Sequence, residues 1–173
     1  WDNSLSDYVT AKDMMLAVCG EIGMGGGRYQ AIQYSGMGIQ DLSMQERMTM
    51  SNMAAELGAQ VGLIAPDQVT AEYVAAAGGQ LADDWLDYRI ETADRPEDHL
   101  RFDAAALSPQ IAAPHSPANA ADAGEFSHTG FDVAYIGACT GAKYVDLAAA
   151  ASVLKGRHIA DGITLKVAPA SKQ

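Results

Sequence analysis

The sequence predicts an α/β protein, a helix-and-strand module followed by a parallel βαβ unit. Three observations carry that prediction. The apolar run "FDVAYIGAC" (residues 131–139), the helix-forming "AKYVDLAAAASVLKG" (142–156) and the apolar "GITLKVAPAS" (162–171) succeed one another at a spacing that requires parallel strands. Two earlier segments, 10–22 and 42–62, combine capping signals with apolar residues at helical spacing. The composition, 49% hydrophobic and 19% charged, is that of a globular chain.

Taken in order, "TAKDMMLAVCGEI" (10–22) reads as a helix. Thr10 and Asp13 approximate a capping pair, and Met14, Met15, Val18, Cys19 and Ile22 form one stripe. Cys19 on that stripe reads as a buried, inert thiol. "GEIGMGGG" (20–27) lacks the spacing and the Lys-Ser/Thr ending of a phosphate-cradling loop and reads as a turn. "RYQAIQYSG" (28–36) is a strand. "LSMQERMTMSNMAAELGAQVG" (42–62) is a second helix with Ser43 and Glu46 as its capping box; Met50, Met53, Ala54, Leu57 and Val61 share a face. Asn52 and Glu56, four apart, neighbour each other on another face, which by itself reads as solvated. "DQVTAEYVAAAGG" (67–79) is a short helix stopped by Gly78 and Gly79.

The middle carries weaker signals. Residues 83–100 read as an acidic connector, "LRFDAAAL" (100–107) as holding a strand, and the Pro-, Ala- and Ser-rich residues 108–130 as a linker or surface loop. His115, between Pro114 and Ser116, is a weak candidate to line a substrate-binding site. The domain organisation that follows is a first module over residues 1–120 and a βαβ unit over 131–173.

Charge and cysteine usage exclude several function classes. Eleven Lys and Arg against twenty-two Asp and Glu give a net charge of -11, which disfavours a nucleic-acid partner. No apolar run approaches the ~20 residues of a membrane span, so no membrane role is expected. Two cysteines make a disulfide framework unexpected, and the chain reads as cytoplasmic. Residue 1 is Trp, which suggests a processed, truncated or partial chain.

Cys139 lies just past the carboxyl end of one strand and at the amino end of the next helix. Ligands bind at that edge of open α/β sheets, and helix N-termini lower a thiol's pKa. A ligand or nucleophile role and a small packed thiol both remain open at this point. A cysteine nucleophile wants a His base, and none of His99, His115, His128 and His158 can be tied to Cys139. A metal site would need further ligands at metal-like spacing, which these residues do not provide.

"LSMQERMTMSNMAAELGAQVGLIAPD" followed by "IGACTGAKYVDLAAAASVLKGR" resembles the aconitase superfamily, most of all the large iron–sulfur subunit of the 3-isopropylmalate dehydratase and homoaconitase group. "SPQIAAPHSPAN" between them also fits, and the resemblance runs from about residue 11 to 171. It implies aconitase-like α/β/α layers, with residues 1–120 as the second-domain module and 131–173 as the opening βαβ unit of the third domain. It implies a hydro-lyase that dehydrates and rehydrates a hydroxy-di- or tricarboxylic acid such as 3-isopropylmalate, in leucine biosynthesis. The implied cofactor is a [4Fe–4S] cluster held by three thiolates, whose open iron acts as a Lewis acid on the substrate. Cys139 falls on the first cluster cysteine, and Asn52 and Glu56 on the Asn-Met-x-x-Glu motif that lines the catalytic site.

Four departures accompany the resemblance. Gly141 stands where the family has Asn after Cys-Thr. The Cys-x-x-Cys supplying the other two ligands is absent, as are the Asp-His and Asp-Ser-His motifs and the swivelling domain with its serine base and arginines. The implied partners are therefore the remaining family domains, possibly a separate small subunit, and the hydroxy acid. The 173 residues alone are expected to hold no cluster and to be inactive. The rival expectation is a freestanding non-catalytic domain acting as a binding or interaction module; a cysteine-nucleophile enzyme is a third.

Overall fold

The capping pair read from the sequence forms. Thr10 donates from its backbone N–H and its hydroxyl to Asp13, both at 2.7 Å, and opens α1 (Ala11–Ile22). One face of α1 buries Met14, Met15, Val18 and Cys19. These belong to the computed structural model of the chain, which describes residues 1–85 and 99–170. Those residues divide into two compact units, Trp1–Ala123 and Gly124–Gln173.

In the first unit, β1 (Ala31–Tyr34) pairs in parallel with β2 (Val61–Ile64), Ala31 opposite Val61 and Tyr34 opposite Ile64. Between them run a single-turn α2 (Met37–Gln40) and α3 (Met44–Met53), followed by a 3-10 turn over Ala54–Leu57. Ser43 and Glu46 cap α3 reciprocally, at 3.1 and 3.4 Å. α3 lies on β2 through Gly62, where a Cβ would stand 3.0 Å from Ser51 Cα of the helix and 2.9 Å from Ala54 Cβ of the turn after it. The core is therefore a layer of α1, β1 and α3, filled by Met14, Met15, Ile39, Met50 and Leu57.

A buried cation ties this layer to α4 (Gln68–Ala76). Arg47 donates to both Asp67 oxygens at 2.6 and 2.7 Å, and to the carbonyls of Leu42 and Gln40 at 3.1 and 2.8 Å. These bonds engage four of the five guanidinium N–H groups, which is what makes a buried charge tolerable. The Arg47 bond holds the Asp67 carboxyl below its usual range, and Asp67 also caps α4 by accepting from Thr70 N–H at 3.3 Å.

Several expectations are corrected here. The segment 42–62 is not one helix: it leaves α geometry after Met53, turns at Gly58 (φ 71°), and Val61 opens β2 with 43% of its surface exposed. "LRFDAAAL" forms a 3-10 turn, Ala104–Ala106, because the Asp103 carboxylate accepts from Ala105 N–H at 3.0 Å. Residues 108–130 contain an antiparallel hairpin, β3 (Gln110–Ala112) with β4 (Ala120–Asp122). It docks on α1, where Gln110 N–H donates to Asp13 at 2.8 Å. Most of the acidic connector, residues 86–98, lies outside the described residues.

The second unit carries the predicted βαβ order. β5 (Val133–Ile136) pairs in parallel with β6 (Thr164–Val167), and α5 (Tyr144–Leu154) joins them. Gly156, at φ 73°, closes the helix. The whole is a mixed helix-and-strand architecture with small parallel sheets. None of the described helices is long and apolar enough to cross a membrane.

Candidate functional site

Asn52 and Glu56 sit on either side of the point where α3 becomes the 3-10 turn. Asn52 is exposed near the end of α3, and Glu56 is half-buried in the turn, next to the fully buried Leu57. The 100° step that made them neighbours on one helix face stops at Met53, so the turn rather than helical spacing aims Glu56.

Behind the turn lie two buried polar groups. Burial pushes the Cys19 thiol from 9.0 up to about 11, and the nearby Glu56 carboxylate adds to the shift. Cys19 is therefore a neutral core thiol, consistent with the inert role its stripe predicted. Tyr34 has its hydroxyl buried and without a hydrogen-bond partner among the described residues. Its pKa is raised, by burial first and by Cys19 second. Tyr34 and Arg47 are the two residues of this region that sequence reasoning passed over. An arginine inside a Met-rich helix, with an Asp-led helix start twenty residues on, was a usable signal for the second.

His115 is exposed at the tip of the β3–β4 hairpin in a left-handed conformation, φ 85°. Its neighbour Ser116 donates to Met24 Sδ at 3.0 Å. Met24 in turn abuts Gly58, two residues after Glu56, since a Cβ on Gly58 would meet Met24 O at 2.7 Å. The hairpin tip and the Glu56 turn thus flank the same glycine-rich segment.

In the second unit Cys139 is exposed and not disulfide-bonded. It follows β5 at the carboxyl ends of the parallel strands, but α5 begins later than the sequence suggested. Lys143 is its N-cap, with its N–H donating to Asp146 at 3.0 Å. Cys139 is consequently in the connecting loop, not in the first helical turn. At Gly141 an added Cβ would have only the Asp146 carboxyl near it, at 3.9–4.0 Å. A larger side chain fits there.

An aconitase family model (aconitate hydratase) matches residues 2–129. The chain belongs to the aconitase family. It is similar to 3-isopropylmalate dehydratase large subunit 1 of Methanopyrus kandleri, 40% identical over 169 residues, 98% of this chain and 40% of that protein. The large subunit of Nitratidesulfovibrio vulgaris is 39% identical over 97% of this chain and 39% of its own length. That of Moorella thermoacetica is 36% identical over 100% and 40%. This aconitase-family chain thus spans about 40% of the length of the curated relatives it matches.

An aconitase-family protein implies an iron–sulfur cluster when complete. Among the described residues no three His, Cys, Asp or Glu side chains group as a metal site. Cys139 is an accessible thiol, whereas Cys19 is a core thiol with its proton held by burial. One accessible thiol does not satisfy a cubane. By themselves the residues present do not fit the cluster.

Proposed function

We propose that this chain is part of the large subunit of a hydro-lyase acting on a hydroxy-di- or tricarboxylic acid such as 3-isopropylmalate. Residues 1–120 form its second-domain module and 131–173 open the third. Asn52 and Glu56 line the substrate site, and Cys139 gives the complete protein one of three cluster thiolates. The other two come from outside this chain, as do the further domains or small subunit that complete the site. Alone the chain is inactive and cluster-free.

The observation that supports this most is the placement of Glu56. A carboxylate on a 3-10 turn, half-buried and backed by apolar core, is held in one position without losing access to solvent, which is what proton transfer to or from a bound substrate requires. Asn52, exposed one turn earlier, adds a neutral donor and acceptor for a substrate hydroxyl or carboxylate.

The test is made in the complete protein. Glu56→Gln is expected to lower kcat at least ~100-fold with iron content unchanged, the size of a lost general acid or base. Cys139→Ser is expected to abolish cluster binding and activity, and a Cys139→Ser enzyme of normal activity would sink the proposal. A second reading, a freestanding binding module, has Gly141 in its favour. It is chosen if the intact mass of the natural protein matches the 18.2 kDa of this chain, since a dehydratase large subunit would be far heavier.

A further inference from the structure

The glycine-rich turn after α1 packs backbone to backbone against the residues that follow Glu56. Gly27 N–H donates to Leu57 O and Tyr29 N–H to Gly58 O, each at 2.8 Å, and Gln60 N–H returns a bond to Gln30 O at 3.0 Å. The approach is possible only because two positions lack a side chain. A Cβ on Gly27 would lie 2.8 Å from Ala59 N and 2.9 Å from Leu57 O. One on Gly58, at φ 71°, would lie 2.7 Å from Met24 O. These neighbours are backbone atoms and cannot rotate away.

Arg28 and Tyr29, inside the same contact, hold left-handed conformations at φ 45° and 61°. Side-chain-bearing residues adopt that region at an energetic cost, and persist in it where surrounding structure over-determines them. Both are exposed, so their own burial does not repay the cost. What holds them is the ladder to residues 57–60.

We infer that residues 27–30 are a backbone clamp that sets the position of Glu56, with Gly27 and Gly58 as positioning residues. Resting on the proposed role of Glu56, the clamp answers a question the helix leaves open. α3 ends at Met53, so nothing helical fixes the turn at Ala54–Leu57 from its far side. The ladder fixes it there, within two residues of the carboxylate.

The same turn supplies a control, because a Cβ on Gly25 meets nothing within 4 Å. In the complete enzyme, Gly27→Ala is expected to lower kcat about 100-fold, the penalty of an ångström-scale misplacement, while KM moves less than about threefold. Gly25→Ala stays within about twofold. Placed in a Glu56→Gln background, Gly27→Ala adds less than about twofold, because it acts through a carboxylate already removed. Amide exchange over residues 54–60 becomes at least about tenfold faster in Gly27→Ala than in Gly25→Ala.

Equal losses from Gly27→Ala in both backgrounds, or a Gly27→Ala enzyme as active as Gly25→Ala, overturn the clamp. A fully active Glu56→Gln instead removes the role of Glu56, and the clamp with it. Should Gly27→Ala not fold, the unsubstituted protein decides. Exchange of the Gly27 and Tyr29 amides at unprotected loop rates overturns the clamp, and strong protection supports it.

Discussion

The two units differ in how they hold their chemistry. In Trp1–Ala123, Met14, Met15, Met50 and Leu57 are fully buried between α1, β1 and α3, and Glu56 rides on a turn pinned to that core. In Gly124–Gln173, α5 buries no residue, Val133, Tyr135 and Val167 are each more than half exposed, and Ala142 is the one buried apolar residue among those described. Yet the second unit was the easier to read from sequence. Local signals suffice to specify strand, helix and strand. Packing them into a core takes further surface, and a two-stranded sheet with one helix offers little.

The largest contrast should appear between the two cysteines. At pH 8 Cys139 is expected to react with iodoacetamide as an accessible thiol. Cys19, buried and with its pKa near 11, should react at least ~1000-fold more slowly, at the rate the core opens. Mass spectrometry of time points follows both, and similar rates would erase the distinction between the units. Next in size are core truncations. Met50→Ala should cost about 2–5 kcal/mol in urea unfolding. Val153→Ala on α5, 48% exposed, should cost less than ~0.5 kcal/mol.

The Arg47–Asp67 pair sharpens the comparison at intermediate size. Asp67→Asn should cost about 2 kcal/mol, less than for most buried pairs, because Arg47 keeps its bonds to Leu42 and Gln40. The folded-state pKa of Asp67 is lowered from 3.8. Its contribution is therefore complete above that value and is lost as pH falls through the lower folded pKa. Acid titration of stability below pH 4 should be steeper in the unsubstituted chain than in Asp67→Asn; equal slopes would show the pair to be energetically idle. The smallest effect belongs to Gly141→Asn. With open space at its Cβ it should shift stability by no more than ~0.5 kcal/mol, and in the complete enzyme it should leave cluster content unchanged.

How much was legible depended on the range of the interactions involved. α1, α4, α5 and the β5–β6 pairing were readable, because capping residues, apolar period and Gly stops act within a few positions. The 42–62 segment misled because Val61 continues the helical period by accident while belonging to β2. The β3–β4 hairpin was hidden because three-residue strands rich in Ala carry almost no propensity signal. Its anchor is the bond from Gln110 to Asp13, ninety-seven residues apart. Of the candidate residues, Asn52, Glu56 and Cys139 were nameable from motifs and Arg47 had a signal that went unread, whereas the unpartnered Tyr34 hydroxyl was visible only once folded.

The sequence by itself determined the helix caps, the βαβ order and the family to which the chain belongs, since each is written in adjacent residues. Where α3 stops, what presses on the Glu56 turn and how far burial raises the Cys19 pKa were decided by tertiary structure alone. The reason is physical: a glycine's missing Cβ, a buried guanidinium and a desolvated thiol acquire meaning only from atoms that sequence-distant segments bring within a few ångströms.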